Sequence, residues 1–155
     1  RGGEPGPDDA DSRLVGQTRF TQNCPGKRRG SAMHIGPVIA VTDLQRARDF
    51  YEDQLGLEGA PSPGGWIVNG INGTVCYLLP DIADAGTASW PQASFRVDDI
   101  WSTVRELRAR GVEFLGPDEL PFALDADGIS TEQRGMKVAW MRDPDGSVLT
   151  VFSLD

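Results

Sequence analysis

The sequence predicts an α+β fold built from two β-α-β-β-β modules. Three observations carry this reading. The chain closes on two short apolar runs, Met136–Met141 and Val148–Leu154, around Asp143-Pro144-Asp145-Gly146. Pro144 fixes its own φ and Gly146 accepts a positive one, so the four residues form the turn of a β-hairpin. Helical spacing of apolar residues appears twice, each time just after a strand-like run. The two stretches also match: Val41-Thr42-Asp43-Leu44 and Val97-Asp98-Asp99-Ile100 hold equivalent places, with Gly56 thirteen residues after Asp43 and Gly111 twelve after Asp99. An internal repeat of roughly fifty to sixty residues is the signature of a duplicated supersecondary unit.

In order along the chain, residues 1–32 are rich in Gly, Pro, Asp and Arg and lack periodicity. They are expected to form a poorly structured tail or leader, because such a composition buries too little apolar surface to offset ordering entropy. The domain is expected over 33–155, with modules at about 33–80 and 91–155. His34–Val41 reads as a strand whose Pro37 implies an edge position or a bulge. Thr42 and Gln45 have the spacing of a capping box. Leu44, Ala47, Phe50, Tyr51 and Leu55 then follow at helical spacing until Gly56. Leu57–Ala60, Trp66–Ile71 and Thr74–Leu79 are strand candidates, with Asn72-Gly73 a strong hairpin turn.

After a linker over Pro80–Trp90 the order begins again. Gln92–Val97 is a strand, and Asp98-Asp99 place negative charge at the positive end of the next helix. Ile100, Val104 and Leu107 line one face of that helix up to Gly111. Val112–Leu115 reads as a further strand, followed by a loop with Pro117 and Pro121, a loop over Asp125–Arg134, and the closing hairpin. An isolated hairpin is marginal in water, so this apolar one must belong to a larger sheet.

Composition narrows the function. The chain of 155 residues has a net charge of −8, and residues 33–155 account for nine basic and nineteen acidic side chains. That balance argues against nucleic acid as a partner, since phosphate contacts need a basic surface. No apolar run approaches the ~20 residues that span a bilayer, which argues against a membrane partner. The two cysteines, Cys24 and Cys76, form no C-x-x-C and no disulfide framework, so reduced thiols and a cytoplasmic setting are expected. His34 is the only histidine, which limits imidazole catalysis and multi-histidine metal sites. No nucleophile–base pair or phosphate-cradling Gly loop is present.

The repeat, the helix start VTDLQRARDFYEDQLGL and the closing WMRDPDGSVLTVF together resemble the glyoxalase / bleomycin-resistance / extradiol-dioxygenase group, the vicinal oxygen chelate superfamily. The resemblance covers about residues 33–155. It implies two βαβββ modules forming a curved mixed sheet around a cleft, and commonly a homodimer. It also implies that metal-dependent members carry a ligand on the first and last strand of each module. Mapped onto this chain, those positions are Gly36, about Cys76, Gln92 and Thr150. Only Gln92 resembles a family ligand, and a neutral amide alone does not hold a divalent metal.

The expected function is therefore metal-free binding of a small apolar or aromatic molecule, with no metal and no cofactor. The alternative is a divalent-metal-dependent lyase, isomerase or dioxygenase of the glyoxalase type. Strand parity places Thr150 with Val148 and Phe152, and Arg96 with Gln92. The expected ligand-binding residues are Trp66, Tyr77, Gln92, Arg96, Trp140, Thr150 and Phe152. An apolar, aromatic cavity with a few polar groups is how small-molecule sites are commonly made. Catalytic candidates are His34, as a general base, and Glu132, reaching over the cleft from the Asp125–Arg134 loop.

Overall fold

The computed structural model describes residues 36–70, 73–133 and 135–154. The expectations for the 1–32 segment, Cys24 and His34 lie outside the described residues. The first module runs β1 (Val38–Ala40), α1 (Leu44–Arg48, continuing as a π-helical segment Asp49–Gln54), β2 (Glu58–Ser62), β3 (Gly65–Asn69) and β4 (Val75–Leu79). The second runs β5 (Ala93–Arg96), α2 (Ile100–Ala109), β6 (Ser130–Gln133), β7 (Met136–Arg142) and β8 (Val148–Leu154). Each module carries a four-stranded mixed sheet of the same topology, β1-β4-β3-β2 and β5-β8-β7-β6. In each, the first strand pairs parallel with the last, and the remaining pairs are antiparallel. The duplicated α+β architecture is the one the repeat predicts.

The helix starts obey the repeat too, with one correction. Asp43 caps α1 by accepting from the Arg46 backbone N–H at 3.0 Å, and Asp99 caps α2 by accepting from Ser102 N–H at 3.1 Å. The expected cap Thr42 instead donates its N–H and its hydroxyl to Asp145. A carboxylate caps at least as well as a threonine hydroxyl, so Asp43 takes the role once Thr42 is engaged elsewhere. Downstream, the wider π turn admits both Phe50 and Tyr51 to the interior, where their rings meet edge to face at 5.2 Å.

Two further expectations are corrected in the second module. Val112–Leu115 forms no strand; toward the second sheet it makes a bridge between Phe114 and Met141 and a 2.8 Å bond from Leu115 N–H to Trp140 C=O. The expected loop over Asp125–Arg134 is largely a turn followed by strand β6. Asp125 accepts from the N–H groups of Asp127 and Ile129 and from the Trp101 indole, which closes the turn and aims the chain along β7. Partial burial raises the Asp125 pKa, but these hydrogen bonds outweigh it and hold the carboxyl below its usual range. Ser-Thr-Glu-Gln lacks apolar alternation because β6 is an edge strand.

One shared core joins the modules. It takes Ile39, Val68 and Leu78 from the first sheet, Val104 and Leu107 from α2, and Met141, Leu149 and Val151 from the second sheet. The far side of the second sheet is covered as well: Val138, Trp140 and Val148 pack under Leu115, with Leu120, Phe122 and Leu124 of the following loop against them. Burial on both faces explains why β7 and β8 read as near-continuous apolar runs. The described residues leave the far side of the first sheet uncovered. There β4 alternates between buried Cys76 and Leu78 and exposed Tyr77 and Leu79.

The closing turn fastens the modules together. Asp143 is buried and accepts from Ser147 N–H at 2.7 Å, Asp145 N–H at 3.1 Å and the Tyr51 hydroxyl at 3.0 Å. Asp145 accepts from Thr42 and from the Arg46 guanidinium, the latter at 2.6 Å. Gly146 closes the turn at φ 97°. The linker rests on the same turn: a Cβ at Gly86 would fall 1.7 Å from the Asp145 carbonyl oxygen, so only glycine fits there. Burial, with the Asp143 charge beside it, pushes the Tyr51 hydroxyl far above its ordinary range and keeps it a donor.

Burial also raises the Asp143 pKa, against the opposing hydrogen bonds from Ser147 and Tyr51. A carboxyl raised in the folded state favours folding most below the unfolded value of about 3.9, and this contribution is lost as pH rises through the folded value. Wild type is therefore expected to lose stability relative to Asp143→Asn as pH rises through that window. Urea unfolding of both proteins across a pH series checks this; parallel curves would contradict it.

Candidate ligand-binding site

The register of the parallel strand pairs identifies equivalent positions in the two modules. Val38 lies opposite Tyr77, and Ser94 lies opposite Thr150. Val38 follows Gly36 by two residues just as Ser94 follows Gln92, so Tyr77 is the counterpart of Thr150. The sequence mapping to about Cys76 is therefore off by one residue, and in a strand one residue reverses the face. Cys76 points into the shared core, where burial pushes its thiol up to about 12 and keeps it neutral. The equivalent set is Gly36, Tyr77, Gln92 and Thr150.

That set does not fit a divalent metal. It offers an amide, a phenol and a hydroxyl, with no imidazole or carboxylate, the donors that hold such ions. Gly36 admits no larger side chain on this backbone, since a Cβ would sit 2.2 Å from the Val75 carbonyl oxygen. The Thr150 hydroxyl is already engaged with Ser94 at 2.7 Å, and the Gln92 amide donates to Trp90 C=O at 3.2 Å. Among the described residues no three His, Cys, Asp or Glu side chains group so as to hold a metal ion.

Five of the expected ligand-binding residues share one face of the second sheet. The rungs run Ser94–Thr150–Trp140 and Arg96–Phe152–Val138, with Gln92 two residues before Ser94 on the same side. Trp140 and Thr150 are buried, Phe152 and Gln92 are half-buried, and Arg96 is exposed. Phe122 from the covering loop stacks on Trp140 at 5.3 Å and 19°. The result is a packed aromatic cluster under a loop, with a polar border along edge strand β5.

The other two aromatics do not join them. Trp66 lies opposite Leu78 and Tyr77 opposite Ile67, so they point to opposite faces of the first sheet. Trp66 packs against the shared core under the Arg48 guanidinium, 3.9 Å from its ring centre, and its Nε1 is buried without a partner among the described residues. Tyr77 stands on the open face. Glu132 is exposed on edge strand β6, on a strand and not on a lid. Sequence reasoning missed Ser94 and Phe122. Ser94 was legible from its parity with Gln92, whereas Phe122 sits in a Pro-flanked loop that carries no periodic signal.

Paired β-α-β-β-β modules, each with a four-stranded mixed sheet of the same order, define a two-module α+β fold. The profile of the Glyoxalase/Bleomycin resistance protein/Dioxygenase superfamily matches residues 32–151, and the chain belongs to that superfamily. No curated protein matches the chain. Solved structures do. A glyoxalase / bleomycin resistance protein from Catenulispora acidiphila has 20% identity, with 80% of this chain and 100% of that one covered at a TM-score of 0.59. TnmS3, an antibiotic binding protein from Streptomyces, has 22% identity over 81% of this chain and 100% of that one, with a TM-score of 0.54. The fosfomycin resistance protein FosX from Listeria monocytogenes has 12% identity over 80% and 94%, with a TM-score of 0.59. At these identities the likeness is one of fold.

A stacked aromatic pair contributes about 0.5–1.5 kcal/mol beyond its buried area. Phe122→Ala is expected to uncover Trp140, raising acrylamide quenching of tryptophan fluorescence, and the increase is expected to vanish in a Trp140→Phe background. An increase that persists in that background would place the exposed indole elsewhere.

Proposed function

We propose that this protein binds a small apolar or aromatic molecule, without a metal and without a cofactor. The carrying observation is that Gly36, Tyr77, Gln92 and Thr150 stand at the four equivalent strand positions. Support comes from the cavity between the modules, whose walls are mostly apolar with the polar side chains of Gln92, Ser94 and Arg96 at its edge, the usual make-up of a small-molecule site. Superfamily membership adds to it, as does the likeness in fold to proteins described as antibiotic-binding and as fosfomycin resistance. Fold alone does not select between binding and catalysis; the donor set, with no imidazole or carboxylate, favours binding.

The same reading makes the protein a cytoplasmic homodimer. Among the described residues no helix is long and apolar enough to cross a membrane, and Cys76 is a free cysteine. Val38, Tyr77 and Leu79 stand 57%, 41% and 42% exposed on one face of the first sheet. Their contiguity across β1 and β4 makes an apolar patch of the kind that meets a partner, and a second copy is the partner proposed.

Three measurements test these statements. Elemental analysis of the natively purified protein is expected to find no stoichiometric metal, and planar aromatic compounds are expected to quench tryptophan fluorescence saturably, with or without EDTA. One equivalent of zinc, nickel or manganese per chain, with an activity lost on chelation, would replace this reading with the metal-dependent lyase, isomerase or dioxygenase. Light scattering is expected to give twice the chain mass, and Tyr77→Asp to give the monomer. A wild-type monomer at micromolar concentration would remove the dimer.

A further inference from the structure

We propose that the ligand carries a carboxylate and that Arg96 receives it; this rests on the small-molecule reading above. The observation is an unpaired guanidinium in an acidic domain. Each of the other six described arginines has a partner. Arg46 and Arg105 face Asp145 and Asp127, Arg48 faces Glu52, and Arg108 lies over the Phe114 ring. Arg110 and Arg142 donate to the backbone carbonyls of Gln54 and Gly146. Arg96 makes no hydrogen bond, ion pair or ring contact with any described residue. Residues 33–155 supply nineteen acidic side chains, so a guanidinium left without one stands out.

Its position is also informative. Edge strand β5 borders an open cavity of about 1090 Å3 between the modules, with apolar walls that include Leu57, Val68, Leu107 and Met141. Arg96 is the one cation among the described residues lining that cavity. Two residues before it on β5, Ser94 lines the same cavity and adds a hydroxyl. An aromatic ring against the apolar wall leaves its acid group, at the edge of β5, within reach of the planar guanidinium fork, which matches a carboxylate in two-point fashion.

A single negative charge suits the site better than two. Only one cation is present, Asp98 lines the same cavity, and the neighbouring donors Gln92 and Ser94 are neutral. The surplus of acidic residues in this part of the chain opposes a dianion further. Aromatic monocarboxylates are therefore the ligand class, ahead of aryl phosphates.

The test uses three probes of one shape, 2-naphthoate, 2-naphthamide and 2-naphthyl phosphate, titrated into the full chain by tryptophan fluorescence and calorimetry. Naphthoate is expected to bind at least about tenfold tighter than the amide, because the ionised pair adds a charge-assisted hydrogen bond. Naphthyl phosphate is expected to bind no tighter than naphthoate. Arg96→Met is expected to bring the naphthoate-to-amide ratio to about one with an unchanged circular dichroism spectrum, and Arg96→Lys to keep part of the preference. A ratio near one in wild type, with the amide still binding saturably, overturns the carboxylate and leaves the apolar-ligand reading standing. Saturation by none of the three overturns both. Tighter phosphate binding overturns the choice of a monoanion, and a preference that survives Arg96→Met overturns the assignment to Arg96.

Discussion

The hydrogen-bonded turn Asp143–Gly146 holds the two modules in register. Its two carboxylates reach the first module at three places, Tyr51, Thr42 and Arg46, and the linker glycine Gly86 rests on the turn's backbone. Everything else in the arrangement follows from this junction. The residue before the α1 cap, Thr42, is tied to Asp145, and the π-helical segment brings Tyr51 to the buried carboxylate. With those fixed, the helix-facing sides of both sheets meet in one core. A buried carboxylate is costly unless its acceptors are filled, so Asp143 holds its donors in one geometry.

Seen from the two sheets, the modules are copies with different surroundings. The second sheet is covered on both sides, by the shared core and by the loop carrying Phe122. The first is covered on one side only and presents Val38, Tyr77 and Leu79 outward. Duplication set the strand order, and packing then assigned the faces different work. The polar border of Gln92, Ser94 and Arg96 falls on edge strand β5, where side chains meet solvent and an open cavity instead of a neighbouring strand.

Much of the fold was legible in the sequence because its signals are local. The D-P-D-G turn, the Asp43 and Asp99 helix starts and the two matching glycines each follow from a few adjacent residues. What escaped depends on distant partners. Thr42 has the look of a cap and is not one, because Asp145 claims it from the far end of the chain. Polar Ser130–Gln133 is a strand only because β7 lies beside it. Within the site, parity grouped Gln92 and Arg96 with Thr150 and Phe152, since alternation along a strand is a covalent property. Trp66 and Tyr77 lie on different strands, so whether they share a face depends on the register between strands and not on alternation along one. No pattern marks Phe122, whose place over Trp140 is decided by the path of an irregular loop.

The turn also bears on how the two halves diverged after duplication. In the first module the equivalent strands are β3 and β4, and the sequence between Asn69 and Val75 contains no acidic residue. In the other direction, Tyr51 falls at Leu107 and Arg46 at Ser102 when the two helix starts are superposed by sequence. Fastener and socket therefore exist once each, on opposite halves. Two first halves would lack the carboxylates, and two second halves would bury one with no phenol to meet it. The modules have become complementary parts, and neither can now stand in for the other.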